Sequence, residues 1–152
     1  MGERGFIGIE GETMVTDEDT TIEERDPSGV EKRLMRPGGL SYLHIPAVDV
    51  RESAIFYERV FGWTVRGHDT DRPSFDDATG HVSGAWMKTQ VVSREPGLLP
   101  YIYVEDIDET VVRINEHGGD VVDAPYPEGN LWVAVFRDPA GNVMGLWHAG
   151  PR

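Results

Sequence analysis

The sequence predicts an α+β domain made of two βαβββ modules, whose strands form a curved sheet around a central cleft. Short apolar segments of strand length surround two segments with helical periodicity. The helical segments begin at Asp49 and Asp106 and stop at Gly62 and Gly119, and both pairs lie 57 residues apart. A shared offset at both ends indicates one supersecondary unit present twice, with the copies packing together.

The domain organisation follows from this repeat. A chain of 152 residues is expected to hold one domain. We assign that domain to residues 39–150, with one half at residues 39–96 and the other at residues 97–150. Residues 1–38 differ from the rest, because they carry 10 acidic residues against 5 basic ones.

The acidic N-terminal arm has two interpretations. Its low apolar content is typical of a solvated segment. Residues 20–25 and 30–35, however, flank a Pro-Ser-Gly turn and could pair as a hairpin. Such a hairpin would add strands to a sheet edge or reach a partner subunit.

The first half begins with a strand at residues 40–46. A helix follows at residues 50–60, with Asp49 as its N-cap and Gly62 as its stop. The three strands that complete this half are predicted at residues 63–66, 71–78 and 82–92.

The second half repeats this order. A strand at residues 100–104 leads to a helix at residues 107–116, which Asp106 caps and the pair Gly118-Gly119 ends. A tight turn at residues 138–142 joins the last two strands. The three closing strands are predicted at residues 121–122, 131–137 and 143–148.

Composition excludes several classes of function. A formal charge of −13 argues against nucleic acid and against an anionic membrane surface as partners. Because the chain has no cysteine, disulfides, thiolate nucleophiles and cysteine-bound zinc are excluded. No apolar run approaches the ~20 residues that span a bilayer, and no secretory signal is visible. We therefore expect a cytoplasmic location.

Six segments share their order and spacing with one known family. They are Ile45-Pro46-Ala47-Val48-Asp49, Phe56-Tyr57-Glu58-Arg59-Val60-Phe61-Gly62-Trp63, Tyr103-Val104-Glu105-Asp106-Ile107-Asp108, Gly118-Gly119, Phe136-Arg137-Asp138-Pro139-Ala140-Gly141-Asn142 and Gly145-Leu146-Trp147. Across about residues 39–149 the chain resembles the vicinal-oxygen-chelate superfamily, which includes glyoxalases, bleomycin-resistance proteins and dioxygenases. The resemblance is specific for the fold, whereas function depends on the site.

The resemblance also gives the positions of the family's metal ligands. Metal-dependent members hold a divalent ion with four residues, usually His and Glu, on the first and last strands of each half. These positions fall on Tyr42, Gly84, Leu99 and Gly145. A metal needs several ligating side chains, and this set offers one. We therefore expect no metal and no cofactor, as in a subgroup without the metal ligands; a displaced metal site would have to start from His44.

Strand alternation predicts which side chains face the cleft, since residues two apart share a face. The predicted ligand-binding residues are Tyr42, His44, Gly84, Trp86, Leu99, Tyr101, Tyr103, Gly145 and Trp147. Aromatic walls with small residues between them are typical of a pocket for a flat or partly apolar organic molecule. Alternatively, the same aromatic side chains fill the cleft as core.

Proton transfer has one candidate residue on this face. An imidazole suits acid–base chemistry near neutral pH, so His44 is the predicted catalytic base and Tyr42 its partner. The opposite interpretation of His44 is a hydrogen-bonded residue of an inner strand.

Three functions are compatible with these features. The first is a metal-free protein that binds a small molecule, as the bleomycin-resistance branch does. The second is a metal-independent isomerase, cyclase or hydrolase that uses His44. The third is a non-catalytic regulatory or structural module whose N-terminal arm pairs with a partner. The resemblance further implies a homodimer.

Overall fold

The computed structural model describes residues 31–152, which divide into two units after Ser41. In the short first unit, Lys32–Leu34 form one turn of 3₁₀ helix. Residues 20–25 of the alternative hairpin lie outside the described residues, and the described part of its second strand contains this 3₁₀ turn instead. The domain boundary at residue 38 stays a prediction.

The unit Tyr42–Arg152 contains two copies of one strand–helix–strand–strand–strand order. The first module consists of β1 (Tyr42–Pro46), α1 (Val50–Phe61), β2 (Thr64–Arg66), β3 (Ser74–Asp76) and β4 (Ser83–Met87). The second consists of β5 (Tyr101–Tyr103), α2 (Ile107–Glu116), β6 (Asp120–Glu128), β7 (Leu131–Arg137) and β8 (Val143–Ala149). The predicted α+β class and the two βαβββ modules are confirmed.

Each module forms its own four-stranded mixed sheet, in the orders β1-β4-β3-β2 and β5-β8-β7-β6. In both sheets the first strand pairs in parallel with the last, and the remaining pairs are antiparallel. Among the described residues, no helix is long and apolar enough to cross a membrane.

Side-chain caps start both helices at the predicted residues. Asp49 Oδ1 accepts hydrogen bonds from the backbone N–H groups of Arg51 and Glu52 at 3.0 and 3.2 Å. Asp106 Oδ1 accepts one from Glu109 N at 2.9 Å. Each carboxylate satisfies N–H groups that have no partner within the helix and lies at the positive end of the helix dipole.

The two helix stops differ although the sequence offset is the same. Gly62 adopts the left-handed conformation at the end of α1, with φ of 72°. After α2 the left-handed residue is Gly118, with φ of 95°, rather than Gly119. Gly119 serves close packing, since a Cβ there would lie 2.7 Å from Ile114 Cγ2 and 2.8 Å from the Arg137 carbonyl oxygen. Both glycines are therefore needed, for different reasons.

Strand β6 is much longer than the predicted strand at residues 121–122. It includes Pro125 and Pro127, which lack the N–H group that an inner strand requires. The strand lies at the edge of its sheet, and its pairing with β7 shifts register twice. Edge position and bulges are where a sheet tolerates proline.

The core lies between the helices and one face of each sheet, and it is strongly aromatic. Tyr57 of α1 stacks on Trp63 at 4.6 Å, Trp63 stacks on Phe75 at 4.6 Å, and Phe75 contacts Trp86 at 4.8 Å between ring centroids. All four side chains are buried. Offset ring contacts of this kind add to the free energy gained from burial.

A buried carboxylate joins the two modules. Asp138, in the turn between β7 and β8, is 3% exposed. Its Oδ2 accepts hydrogen bonds from the Tyr57 hydroxyl and from Asn142 Nδ2, both at 2.8 Å. Its Oδ1 accepts the backbone N–H groups of Ala140, Gly141 and Asn142 at 2.9 to 3.0 Å. Five donors thus compensate a charge that would otherwise be costly to bury.

Asn142 extends this junction to the rest of the chain. Its Nδ2 also donates to the carbonyl oxygen of Pro46, at the end of β1, at 2.7 Å. Its Oδ1 accepts the Ser93 N–H, in the segment that links the modules, at 2.8 Å. One buried amide therefore fixes the end of β1, the linker and the β7–β8 turn.

We predict that Asn142→Ala lowers the free energy of unfolding by about 2–4 kcal/mol, because buried groups of Pro46, Ser93 and Asp138 lose their partners. Urea unfolding followed by circular dichroism measures this loss. Asn115→Ala is the matched control, on the exposed surface of α2, and should change stability by no more than about 0.5 kcal/mol. Equal midpoints for the two variants would contradict the role of the junction.

The contribution of the Tyr57 hydroxyl to stability can be tested at alkaline pH. Burial, and then the charge of Asp138 and its hydrogen bond, raise the pKa of Tyr57 well above its usual value. The unfolded chain therefore loses this proton first, and above pH of about 10 stability falls with pH by up to about 1.4 kcal/mol per unit. Tyr57→Phe should remove that part of the slope in urea titrations at pH 9 to about 11. Tyr42→Phe, at an exposed tyrosine, is the control and should keep the slope.

Candidate functional site

Each sheet has one face away from its helix, and we name these the first and second open faces. The first open face belongs to β1–β4. Its side chains are Tyr42 and His44 of β1, Thr64 and Arg66 of β2, Ser74 and Asp76 of β3, and Ser83, Ala85 and Met87 of β4. Polar groups dominate this set.

Tyr42 and His44 share the first open face, as alternation predicts. Both are exposed, and their rings meet edge to face with centroids 5.5 Å apart. The Gln90 amide donates to His44 Nδ1 at 3.1 Å. His44 therefore has one ring nitrogen bound to Gln90 and the other, Nε2, left for contacts on the open face.

A charged cluster occupies the middle of the first open face. Arg66 makes a bidentate ion pair with Asp76, at 2.7 and 3.2 Å. Ser83 donates its hydroxyl proton to Asp76 Oδ1 at 2.5 Å. Paired in this way, the guanidinium and carboxylate largely neutralise each other.

The side chains of Gly84 and Trp86 do not project from the open face, so the predicted orientation of these two residues is wrong, although Trp86 contributes to the lining of the hollow on that face. Tyr42 pairs with Ser83, which places residues 83, 85 and 87 of β4 on the open face and turns Gly84 and Trp86 toward α1. Trp86 is 2% exposed, in the core. A Cβ on Gly84 would lie 2.4 Å from Phe75 Cζ, so this glycine makes room for the Phe75 ring. A shift of one residue in register inverts both positions.

The second open face is aromatic. Tyr101 and Tyr103 of β5 lie beside Gly145 and Trp147 of β8, in register. The rings of Tyr103 and Trp147 meet edge to face with centroids 4.8 Å apart. The Tyr101 ring covers Gly145, where a Cβ would lie 2.4 Å from Tyr101 Cε2. The structure thus brings together these four predicted residues.

Three further residues complete the second open face and were not predicted. Val133 and Val135 of β7 pair with Trp147 and Gly145, and Tyr126 of β6 pairs with Val133. The valines could have been found from the alternation along Leu131–Arg137. Tyr126 could not, because it stands between two prolines in a segment that looks like a loop.

Leu99 lies outside both faces as defined by strand pairing. It is in the segment before β5, which begins at Tyr101, and it is half-buried. Its assignment to the cleft stays a prediction.

The family's metal does not fit this chain. Of the four corresponding positions, Tyr42 alone has a ligating side chain. Gly84 and Gly145 lie against aromatic rings, so neither backbone site has room for a His or Glu side chain. Within residues 31–152, no three His, Asp or Glu side chains are grouped closely enough to hold a metal ion. We therefore derive no chemistry through a metal.

Two hollows lie beside the open faces. One, of about 440 Å³, lies on the first open face and includes Tyr42, Ser74 and Met87. The other, of about 590 Å³, runs along β5 and includes Tyr101 and Tyr103 together with Trp63 of the first module, but not Gly145 or Trp147. Because the two share no lining residue, the residues predicted for one cleft do not line one common hollow.

Curated relatives share this domain at low identity. The chain is 28% identical over 132 residues to the anthracycline biosynthesis protein DnrV of Streptomyces peucetius, an alignment that covers 75% of this chain and 48% of that protein. It is 27% identical over 127 residues to the putative glyoxylase CFP32 of Mycobacterium bovis, covering 75% of this chain and 47% of the relative. The chain thus spans about half the length of the curated relatives it matches.

Solved structures share the fold. TnmS3, an antibiotic binding protein from Streptomyces sp. CB03234, superposes with a TM-score of 0.55 and 23% identity, over 74% of this chain and 96% of that one. FosX, a fosfomycin resistance protein from Listeria monocytogenes, gives a TM-score of 0.62 and 16% identity, over 75% and 95% of the two chains.

The model of the glyoxalase-like domain matches residues 42–147, which include every strand and helix of the two modules except the last two residues of β8. The order of elements, with two copies of one module, agrees with that match. This chain belongs to the glyoxalase-like domain family.

Proposed function

We propose that this chain is a cytoplasmic protein that binds a small, partly aromatic organic molecule without a metal. The observation that carries the proposal is the second open face. Tyr101 and Tyr103 present half-exposed rings and Trp147 a partly buried ring around a glycine, over a floor formed by Val133 and Val135. Rigid aromatic walls over an apolar floor provide contact area for a flat molecule at low cost in side-chain entropy.

The tyrosines also supply polar recognition. Tyr101 is 46% exposed and Tyr103 is 50% exposed, and neither hydroxyl has a hydrogen-bond partner within residues 31–152. Hydroxyls at the rim of an apolar surface can bond to oxygen or nitrogen atoms of a ligand. The antibiotic-binding TnmS3, which shares the fold, and DnrV, named for anthracycline biosynthesis, are consistent with a polycyclic ligand.

We further propose that a second copy of the chain completes the site as a homodimer. Each open face is exposed, and one is polar whereas the other is aromatic. A two-fold axis would place the first open face of one copy opposite the second open face of its partner, twice. Each of the two sites would then have an aromatic wall and a polar wall.

The contacts of His44 favour binding over acid–base catalysis. The Gln90 amide occupies Nδ1 of His44 at 3.1 Å, which leaves Nε2 as the ring nitrogen that can hydrogen-bond to a ligand. The Tyr42 ring contacts the His44 ring at its edge, without a hydrogen bond between the two side chains. A metal-independent enzyme that uses His44 as base would need Gln90 to turn its amide.

The experiment compares two tryptophans on opposite faces of the same strand pair. Trp147 lies on the second open face, whereas Trp132 lies on the other side of its sheet, under the Arg152 guanidinium at 4.7 Å. The probe is N-phenyl-1-naphthylamine, a neutral aromatic dye that fluoresces in apolar surroundings. We predict that Trp147→Leu weakens its binding about tenfold or more and that Trp132→Leu changes it less than about twofold.

Circular dichroism confirms that both variants are folded before titration. Equal losses in the two variants would show that the dye binds elsewhere. Absence of dye binding to the unsubstituted chain would contradict the proposed function.

A further inference from the structure

The hollow on the first open face is lined by cationic side chains, which the aromatic second open face lacks. It holds about 440 Å³ and lies where β3 begins and β4 ends. Its lining includes the cationic side chains of Arg72 and Lys88 and the hydroxyl side chains of Tyr42, Ser74 and Thr89. Cations and hydroxyls converge here on one space of small-molecule size.

The two cations lack an ion pair and line the same hollow. Within residues 31–152, Arg66, Arg113, Arg137 and Arg152 each lie within 4.0 Å of a carboxylate, whereas Arg51, Arg59 and Arg94 do not. Among the unpaired cations of this unit, Arg72 and Lys88 are the two that belong to the lining. Arg72 and Lys88 make no such ion pair with any residue from 31 to 152. A chain with a formal charge of −13 has many carboxylates that could have paired them.

One carboxylate, that of Asp71, also lines the hollow. It lies beyond ion-pair distance of both cations, so the lining keeps one more positive than negative side chain. The lining of the hollow therefore carries a net positive charge, whereas the whole chain is negatively charged. Such a positive lining attracts an anionic group at short range, while the overall negative charge disfavours anions elsewhere on the surface.

Strand alternation places this hollow on the first open face, which is the polar wall of the proposed dimer site. Tyr42 and His44 lie on that face of β1, Ser74 on that of β3, and Met87 on that of β4. An aromatic ligand that lies against the polar wall of the dimer site could therefore extend an attached group into the hollow. Arg and Lys donors and hydroxyls recognise anionic oxygen atoms, whereas the Met87 side chain contacts the apolar part of the ligand.

We propose that this hollow is a subsite for an anionic oxygen group, such as a carboxylate, sulfonate, phosphate or phenolate, on the organic ligand. The inference rests on the proposed function, because it assigns one end of a ligand whose aromatic body lies on the open faces. It narrows the ligand class to aromatic acids. It also excludes a simple cationic ligand, which the charge of the whole chain alone would favour.

A matched pair of dyes tests the subsite. 1-Anilinonaphthalene-8-sulfonate is N-phenyl-1-naphthylamine with one added sulfonate, so the ratio of the two dissociation constants isolates the anionic group. We expect the full chain to bind the sulfonate dye about tenfold more tightly than the neutral dye, as hydrogen bonds to a charged group allow.

The variant Arg72→Gln/Lys88→Gln should lose this preference, so that its ratio approaches one while the affinity for the neutral dye stays within about twofold. The control Arg59→Gln/Arg113→Gln removes the same charge from the outer surfaces of α1 and α2 and should keep the preference. Unfolding midpoints confirm that both variants are folded.

The outcomes separate the two proposals. If the neutral dye binds and the ratio is the same in the chain and in Arg72→Gln/Lys88→Gln, the anionic subsite is overturned and the proposed function stands. If the control loses the preference equally, the effect comes from net charge and the subsite is likewise overturned. If neither dye binds, both proposals are overturned.

Discussion

The buried carboxylate of Asp138 is the constraint on which the arrangement of the two modules depends. It accepts five hydrogen bonds, one of them from Tyr57 in the other module. Desolvation raises the pKa of Asp138, against the lowering effect of the hydrogen bonds from Asn142 and Tyr57. A carboxylate in this position is tolerated only while all its partners stay in place, so it permits one relative placement of α1 and the β7–β8 turn.

That placement determines where the aromatic side chains go. Tyr57 belongs both to the junction and to the stack that continues through Trp63 and Phe75 to Trp86, so the junction and the first module's core are one packed unit. In the second module the aromatic side chains of β5 and β8 face the other way and stay partly exposed. The same residue type therefore serves stability in one module and supplies the candidate binding surface in the other.

Two glycines make room for aromatic rings in these two regions. Gly84 gives space to the Phe75 ring inside the core, and Gly145 gives space to the Tyr101 ring on the open face. By the resemblance to the family, both fall at metal-ligand positions. A larger side chain at either position would displace a ring.

Much of the fold could be predicted because its signals are local. The caps Asp49 and Asp106 and the helix α2 were found at their observed residues, since each depends on short-range hydrogen bonding and periodicity. The predicted residues of the second open face followed from alternation within β5 and within β8.

The predictions that were wrong or incomplete concern residues whose positions depend on partners far away in the sequence. Gly84 and Trp86 were placed on the wrong face because no local signal fixes the register of β4 against β1. Gln90 was missed because its contact with His44 joins residues that are far apart in sequence. The hollow with Arg72 and Lys88 is formed by loops at strand ends, where sequence patterns predict little.

The central claim is that this chain is a metal-free dimer that binds an aromatic molecule. Native mass spectrometry combined with elemental analysis, on protein purified without added metal, tests it most directly. We predict a dimer without stoichiometric metal that takes up N-phenyl-1-naphthylamine. A stoichiometric metal ion, or a monomer that takes up no dye, would contradict it.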